Sequence, residues 1–294
     1  MGRIQRTIDL AKASGRVLSK DRELALLPVL SFIVNLVVMA AFLALVLLVG
    51  GDELFDTSSS SSSTSTSTGF DASPFVYLLG IVGYLVATFV TVFFQTALVS
   101  GANESLSGGD PTLGSSLAGA SSRLHRILPW ALLTGSVGLV LEAIEERAGF
   151  VGAIVANLIG AAWRIVTFLV IPVLVVEDLG PIDATKRSAQ LFKSTWGENL
   201  AAQMGFGLLG FIAILPGALI GGLLAATGTT ALVIVGIGII VLWVAVVVTI
   251  VSALSGIFQM ALYRYATTGE VPMGFPADAL TSAFGPRKGR GTKA

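Results

Sequence analysis

The sequence predicts an all-α integral membrane protein, a bundle of six transmembrane helices with amphipathic helices at the cytoplasmic surface. Hydrophobic residues make up 54% of the 294 residues and charged residues only 12%, about half the charged share of soluble domains. The mean hydropathy of the chain is +0.85. Several apolar runs approach the length of about 20 residues that a helix needs to cross a bilayer. We therefore expect a single membrane domain over residues 1–294.

The first 25 residues predict a helix that lies on the membrane surface. Apolar side chains recur on one helical face, and five basic side chains occupy the rest of the circumference. The apolar set is Ile4, Ile8, Ala11 and Leu18, and the basic set is Arg3, Arg6, Lys12, Arg16 and Lys20. A solvated helix that precedes the first span is the alternative interpretation.

Six apolar stretches are expected to span the membrane as helices. They cover residues 26–50, 74–100, 127–144, 151–176, 200–226 and 231–262. Two further amphipathic segments, 112–127 and 182–196, separate spans 2 and 3 and spans 4 and 5. We expect both segments to lie at the same surface as the N-terminal helix, and residues 263–294 to form a cytoplasmic tail.

The segment 51–73 contains twelve consecutive Ser or Thr residues, at positions 57–68. Because this tract has no apolar side chain to bury, it predicts a disordered external loop. A glycosylated stalk is the alternative.

The distribution of positive charge predicts the topology. Sixteen of the eighteen Lys and Arg residues lie before span 1, between spans 2 and 3, between spans 4 and 5, or after span 6. Cytoplasmic segments carry the excess of Lys and Arg in membrane proteins. Both termini are therefore expected in the cytoplasm of a cell-membrane protein. Six spans agree with this prediction, because an even number of spans places both termini on the same side.

A threefold repeat emerges when Leu98, Leu174 and Leu262 are aligned. The ends of spans 2 and 6 then share the pattern Phe-Gln-x-Ala-Leu, and each copy continues to a glycine and a proline. The predicted unit is a surface helix followed by a two-span hairpin, used three times.

The repeat predicts a polar centre inside the membrane. Arg164 lies near the middle of span 4, where a charge is costly and commonly functional. At the aligned positions, spans 2 and 6 carry hydroxyl and amide side chains on one helical face. The predicted set is Arg164, Thr167, Thr88, Thr91, Gln95, Ser252, Ser255 and Gln259. These residues either hold the helices together by hydrogen bonds or line a polar cavity.

Few residues in the sequence are candidates for a catalytic role. The chain has no cysteine and one histidine, His125, so thiolate chemistry and a histidine metal site are not expected. Glu142 and Glu146 lie one turn apart without a nucleophile beside them, which is typical of a solvated helix end. We expect no catalytic residue, metal, cofactor or nucleic-acid partner.

Two short segments resemble a known family. One includes residues 10–14 (Leu-Ala-Lys-Ala-Ser), and the other runs from Gly180 through Asp183 to the triplet Trp196-Gly197-Glu198. Together they resemble a prokaryotic family of multi-span membrane proteins of unknown function. More loosely, the pattern is similar to the membrane domain of some glycerophosphodiester phosphodiesterases. The resemblance implies six spans and a prokaryotic cell membrane, and it supplies no catalytic residue.

Two functions are compatible with these features. The first is a non-enzymatic membrane protein that organises lipid or partner proteins through its basic surface helices. The second is a transporter or channel for a small solute, anionic if Arg164 binds it.

Overall fold

A computed structural model of the chain describes residues 3–55, 74–195, 206–269, 271–272 and 275. Every regular element in these ranges is helical. The predicted disordered tract at 57–68 and nearly all of the predicted tail after residue 269 lie outside the described residues, as does the start of predicted span 5.

Nine α-helices and one short 3₁₀-helix, Arg22–Ala25, make up the described part of the chain. The α-helices are α1 Arg3–Lys20, α2 Leu26–Phe55, α3 Pro74–Leu106, α4 Leu113–Ser121, α5 Leu124–Val166, α6 Val170–Val176, α7 Pro181–Thr195, α8 Phe206–Ala225 and α9 Thr230–Thr268. The three surface segments expected from the sequence correspond to α1, α4 and α7.

Four described stretches are long and apolar enough to cross a membrane. They are Arg22–Leu48, Pro74–Leu106, Leu124–Val176 and Thr230–Thr268, and Gly210–Ala225 is a shorter apolar helix. The all-helical class is confirmed, and these stretches fit a multi-pass membrane protein.

The stretch that contains α5 reverses its direction at Gly149. This glycine has φ 57° and ψ −140°, a combination outside the helical region and open mainly to glycine. The indole rings of Trp130 and Trp163 stack with their centroids 6.2 Å apart. A straight helix would separate these two residues by about 50 Å. Helix α5 is therefore a hairpin whose first limb is 124–148 and whose second limb is 150–166.

Predicted span 4, 151–176, is not one continuous helix. Helix α5 ends at Val166, and α6 begins at Val170 after a three-residue turn. Pro172 explains the break, because proline has no N–H to bond the carbonyl of Phe168 and its ring crowds that carbonyl.

The buried core lies at one end of the bundle. Leu98, Leu174 and Leu262, on α3, α6 and α9, are at most 2% exposed, and α1, α4 and α7 pack around these helix ends. Toward the opposite end large apolar side chains are open, including Phe150 at 81% and Leu223 at 69% exposure. An apolar surface of this extent suits contact with lipid chains.

Small residues allow several helices to pack closely against one another. A Cβ added at Gly101 would meet Ser116 of α4, and one added at Gly217 of α8 would meet Trp243 of α9. A Cβ at Gly152 would meet Ile144 and Ala148 of the first limb. The second limb, which carries small residues at Gly152, Ala156 and Gly160, therefore packs closely against the first limb of its own hairpin.

Candidate functional site

A pocket lies between α2, α3 and α9. It has a volume of about 370 Å³. Seven uncharged polar side chains line this three-helix pocket beside apolar groups such as Phe32, Phe94 and Val248. The polar set is Ser31, Asn35, Thr91, Gln95, Thr249, Ser252 and Ser255.

A hydrogen bond between two helices fixes one wall of the three-helix pocket. Asn35 Nδ2 donates to the Ser31 carbonyl oxygen at 2.9 Å within α2, and to Thr91 Oγ1 of α3 at 3.3 Å. The Thr91 hydroxyl donates to the carbonyl oxygen of Ala87 at 2.9 Å. The amide of Asn35, which lines the pocket, is thus held by both helices.

The structure brings together four of the eight predicted site residues, Thr91, Gln95, Ser252 and Ser255. Two others lie elsewhere. The Thr88 hydroxyl donates to the Tyr84 carbonyl oxygen at 2.8 Å and lies beside Gly135 of α5. Gln259 is 8% exposed in the core, and its Oε1 has no hydrogen-bond partner among the described residues.

Arg164 lies in a different cavity, the hairpin groove between the two limbs of α5. The hairpin groove has a volume of about 380 Å³. Its polar residues are Thr134, Glu142, Glu145, Asn157 and Arg164. Arg164 is exposed, and within the described part of the chain no carboxylate lies within 4 Å of its guanidinium. The Thr167 hydroxyl bonds the carbonyl oxygen of Trp163 at 2.7 Å, at the helix break.

The expected single polar centre around Arg164 is therefore divided into two separate regions. The physical reason is the reversal at Gly149, which turns the Arg164 face toward the first limb of its own hairpin. Helix α5 packs mainly on α3 and α7, whereas Ser252 and Ser255 on α9 face α2 and α3. Equivalent positions in a repeat share a helical face, but they do not have to point at one another.

The sequence interpretation missed three pocket residues, Ser31, Asn35 and Thr249. Asn35 could have been predicted from the sequence, because a primary amide within an apolar span usually forms a hydrogen bond with a neighbouring helix. Ser31 and Thr249 were harder to predict. A hydroxyl in a helix can bond the backbone of its own helix, so it does not require a partner on another one.

Polar contacts at the core end fasten the surface helices to the spans. Arg187 Nε of α7 donates to both carboxylate oxygens of Glu177 at 3.0 Å, and the Tyr263 hydroxyl of α9 donates to Glu177 Oε1 at 2.9 Å. Near α4, the Ser105 hydroxyl donates to the buried carboxylate of Asp21. These contacts join α7 to the end of α6 and join segments that are more than 80 residues apart in the chain.

The outward faces of α1 and α7 carry positive charge. Ala13, Ser14 and Val17 of α1 are buried, whereas the basic residues around them are exposed. Among the side chains of α1 and α7 whose burial the structure describes, the exposed basic residues are Lys12, Arg16, Lys20, Lys186 and Lys193. Among the described residues no group of three or more His, Cys, Asp or Glu side chains is arranged to hold a metal ion.

The family described as "Family of unknown function (DUF6159)" matches residues 75–274. No curated protein and no solved structure matches the chain. The match supports the resemblance to an uncharacterised family, and nothing found supports the looser similarity to the membrane domain of glycerophosphodiester phosphodiesterases. Because the match covers more than half of the 294 residues, the chain belongs to the DUF6159 family.

Proposed function

We propose that this is a non-enzymatic, six-span protein of a cell membrane that organises anionic lipid at its cytoplasmic face. The six spans are α2, α3, the two limbs of α5 with α6 completing the second, α8 and α9. The reversal at Gly149 supports counting Leu124–Val176 as two spans. An even number of spans and the positive charge of the terminal segments support cytoplasmic termini.

Burial at matched positions supports the threefold repeat. Leu98, Leu174 and Leu262 are all in the core. Each surface helix also presents a fully buried serine toward the spans: Ser14 in α1, Ser116 in α4 and Ser188 in α7. A buried serine in each of the three surface helices would follow from repetition of one ancestral unit.

The observation that carries the function is the docking of the basic helices. One face of α1 and α7 is buried against span ends, so their exposed lysines and arginines lie beside the predicted cytoplasmic membrane surface. Each basic residue near an anionic bilayer surface contributes roughly 1 kcal/mol of attraction. Because the helices are fixed to the bundle, the charges form a preorganised surface for lipid headgroups, or for the acidic face of a partner protein.

Lipid retention during purification tests this function. The protein is extracted in mild detergent, and bound phosphatidylglycerol and phosphatidylcholine are counted by native mass spectrometry. Replacement of Lys12, Arg16 and Lys20 by Gln removes roughly 3 kcal/mol of attraction, so it should lower phosphatidylglycerol retention by about a hundredfold and leave phosphatidylcholine unchanged. The matched control replaces three exposed acids at the opposite end, Glu142, Glu145 and Glu146, by Gln. Equal phosphatidylglycerol retention by the wild type and the basic-site variant would contradict the proposal.

The hairpin groove favours a second function, transport of a small anionic solute. Arg164 is exposed in a groove that also offers Thr134 and Asn157 as hydrogen-bonding groups. In liposomes loaded with an anion-sensitive dye, Arg164→Leu should abolish flux while the unfolding temperature is unchanged or higher, because an apolar side chain avoids the cost of a charge in the membrane. Arg147→Leu, at the external end of the hairpin, is the matched control. Absence of flux in the wild type would reject this function.

A further inference from the structure

We propose that the three-helix pocket binds an uncharged glycerolipid of the cytoplasmic leaflet, a diacylglycerol, through the hydroxyl and ester groups of its glycerol. This site is separate from the basic helices, and it takes a lipid without a charged headgroup. The proposal rests on the six-span arrangement proposed above, and not on the attraction of anionic lipid.

The chemistry of the lining selects an uncharged ligand. All seven polar side chains of the three-helix pocket are neutral, and no Lys, Arg, Asp or Glu lines it. A phosphate or ammonium group in this pocket would leave water without meeting an opposite charge, which is strongly unfavourable. Hydroxyls and amides instead offer both donors and acceptors, as a glycerol hydroxyl and two ester carbonyls require.

Several of these side chains have donors and acceptors that form no hydrogen bond with the described residues. Thr91 and Asn35 bond one another, but Gln95, Ser252 and Ser255 make no side-chain hydrogen bond with any described residue. Side chains that only hold helices together would bond across the interface or to their own backbone. Unsatisfied polar groups that converge on a cavity are typical of a binding site.

The positions of the pocket along α2 and α9 correspond to overlapping depths in the bilayer. On α2 it extends from Pro28 to Asn35, about 3 to 14 Å from the helix start at Leu26. On α9 the pocket extends from Val248 to Ser255, about 10 to 21 Å before Leu262, where the predicted span ends. This depth runs from the boundary of the hydrocarbon region inward, so a ligand of the cytoplasmic leaflet reaches it without crossing the membrane.

The mouth of the three-helix pocket opens on the outside of the bundle. Thr91 and Ser252 line the pocket and are exposed, and Phe32 beside them is 42% exposed. A volume of about 370 Å³ accommodates a glycerol with its two ester groups but not two acyl chains. The acyl chains would continue along the exposed apolar faces of α2 and α9, where Leu36 is 57% and Val248 is 49% exposed.

Photo-crosslinking tests the site directly. The purified protein in nanodiscs is irradiated with a diacylglycerol that carries a diazirine near one ester, and labelled peptides are mapped by mass spectrometry. Labels are expected within residues 28–35, 91–98 and 248–255, and excess unlabelled dioleoylglycerol should suppress them. Asn35→Leu should lower labelling by about fivefold, the equivalent of one lost hydrogen bond. Thr91→Val, which keeps the side-chain volume, should act in the same direction.

Asn157→Leu is the matched control. Both asparagines donate from Nδ2 to the carbonyl oxygen four residues earlier, at 2.9 Å for Asn35 and 2.7 Å for Asn157, but only Asn35 lines the three-helix pocket. Glutamine at positions 12, 16 and 20 should leave diacylglycerol labelling unchanged, which separates this site from the proposed function. Three results would overturn the proposal: equal labelling of the Asn35 and Asn157 variants, equal labelling by a phosphatidylglycerol probe, or competition by free glycerol but not by dioleoylglycerol.

Discussion

The Ser188 hydroxyl of α7 donates a hydrogen bond of 2.6 Å to the carbonyl oxygen of Val166, the last residue of α5. The Ser188 hydroxyl oxygen also accepts a hydrogen bond of 3.1 Å from the backbone N–H of Leu169. One buried side chain thus satisfies two backbone groups that the helix break at Pro172 leaves open. Hydrogen bonds thereby join the surface helix α7 to the break between α5 and α6.

Ser188→Ala should therefore destabilise the protein by about 1–3 kcal/mol, because the buried N–H of Leu169 and the partly buried carbonyl of Val166 lose their partner. The readout is the unfolding temperature in detergent. Ser121→Ala is the matched control, since Ser121 is exposed and its hydroxyl only bonds the carbonyl oxygen of Leu117 in its own helix. A loss of stability in the control as large as that in Ser188→Ala would contradict the capping role.

Arg187→Lys should weaken the junction of α6, α7 and α9. Lysine cannot reproduce the contact of Arg187 Nε with both oxygens of Glu177, a partly buried carboxylate that Tyr263 also bonds. We expect a loss of about 1–2 kcal/mol and a positive coupling with Tyr263→Phe in a double-mutant cycle. Lys186→Gln breaks the exposed pair with Asp183 and should cost less than about 1 kcal/mol. Additivity of the two junction changes would show that the groups act independently.

Gly149→Ala should destabilise the α5 hairpin through the backbone alone. A Cβ at this position would meet no atom within 4 Å, but the φ of 57° and ψ of −140° are strained for any other residue, at about 1–3 kcal/mol. Gly238→Ala adds the same methyl group into open space without a positive φ. It should leave stability unchanged or slightly raised. Equal effects of the two substitutions would mean that the reversal does not depend on glycine.

The proposed topology predicts the side from which single cysteines react. The chain is free of cysteine, and Ser19 on α1 and Thr227 in the turn between α8 and α9 are both exposed. In intact cells a membrane-impermeant maleimide should label Thr227→Cys but not Ser19→Cys, and permeabilisation should expose the second. Labelling of Ser19→Cys from outside would reverse or reject the topology.

The sequence by itself determined the all-helical class, the apolar stretches, the segments that became α1, α4 and α7, and the approximate starts of most long helices. These features depend on local composition, periodicity and charge, which each segment carries within itself. The break in predicted span 4 also has a local cause, Pro172. The continuous apolar run around this proline nevertheless predicted a single span.

Only the tertiary structure decided which polar residues meet. Thr91 and Asn35 face each other because α2 and α3 pack side by side, while Arg164 is turned to its own hairpin by the reversal at Gly149. In a span that is apolar around most of its circumference, the sequence does not mark which face meets a neighbouring helix and which meets lipid. That choice depends on the crossing of helices distant in the chain, so the division of the polar residues between two cavities could be read only from the folded structure.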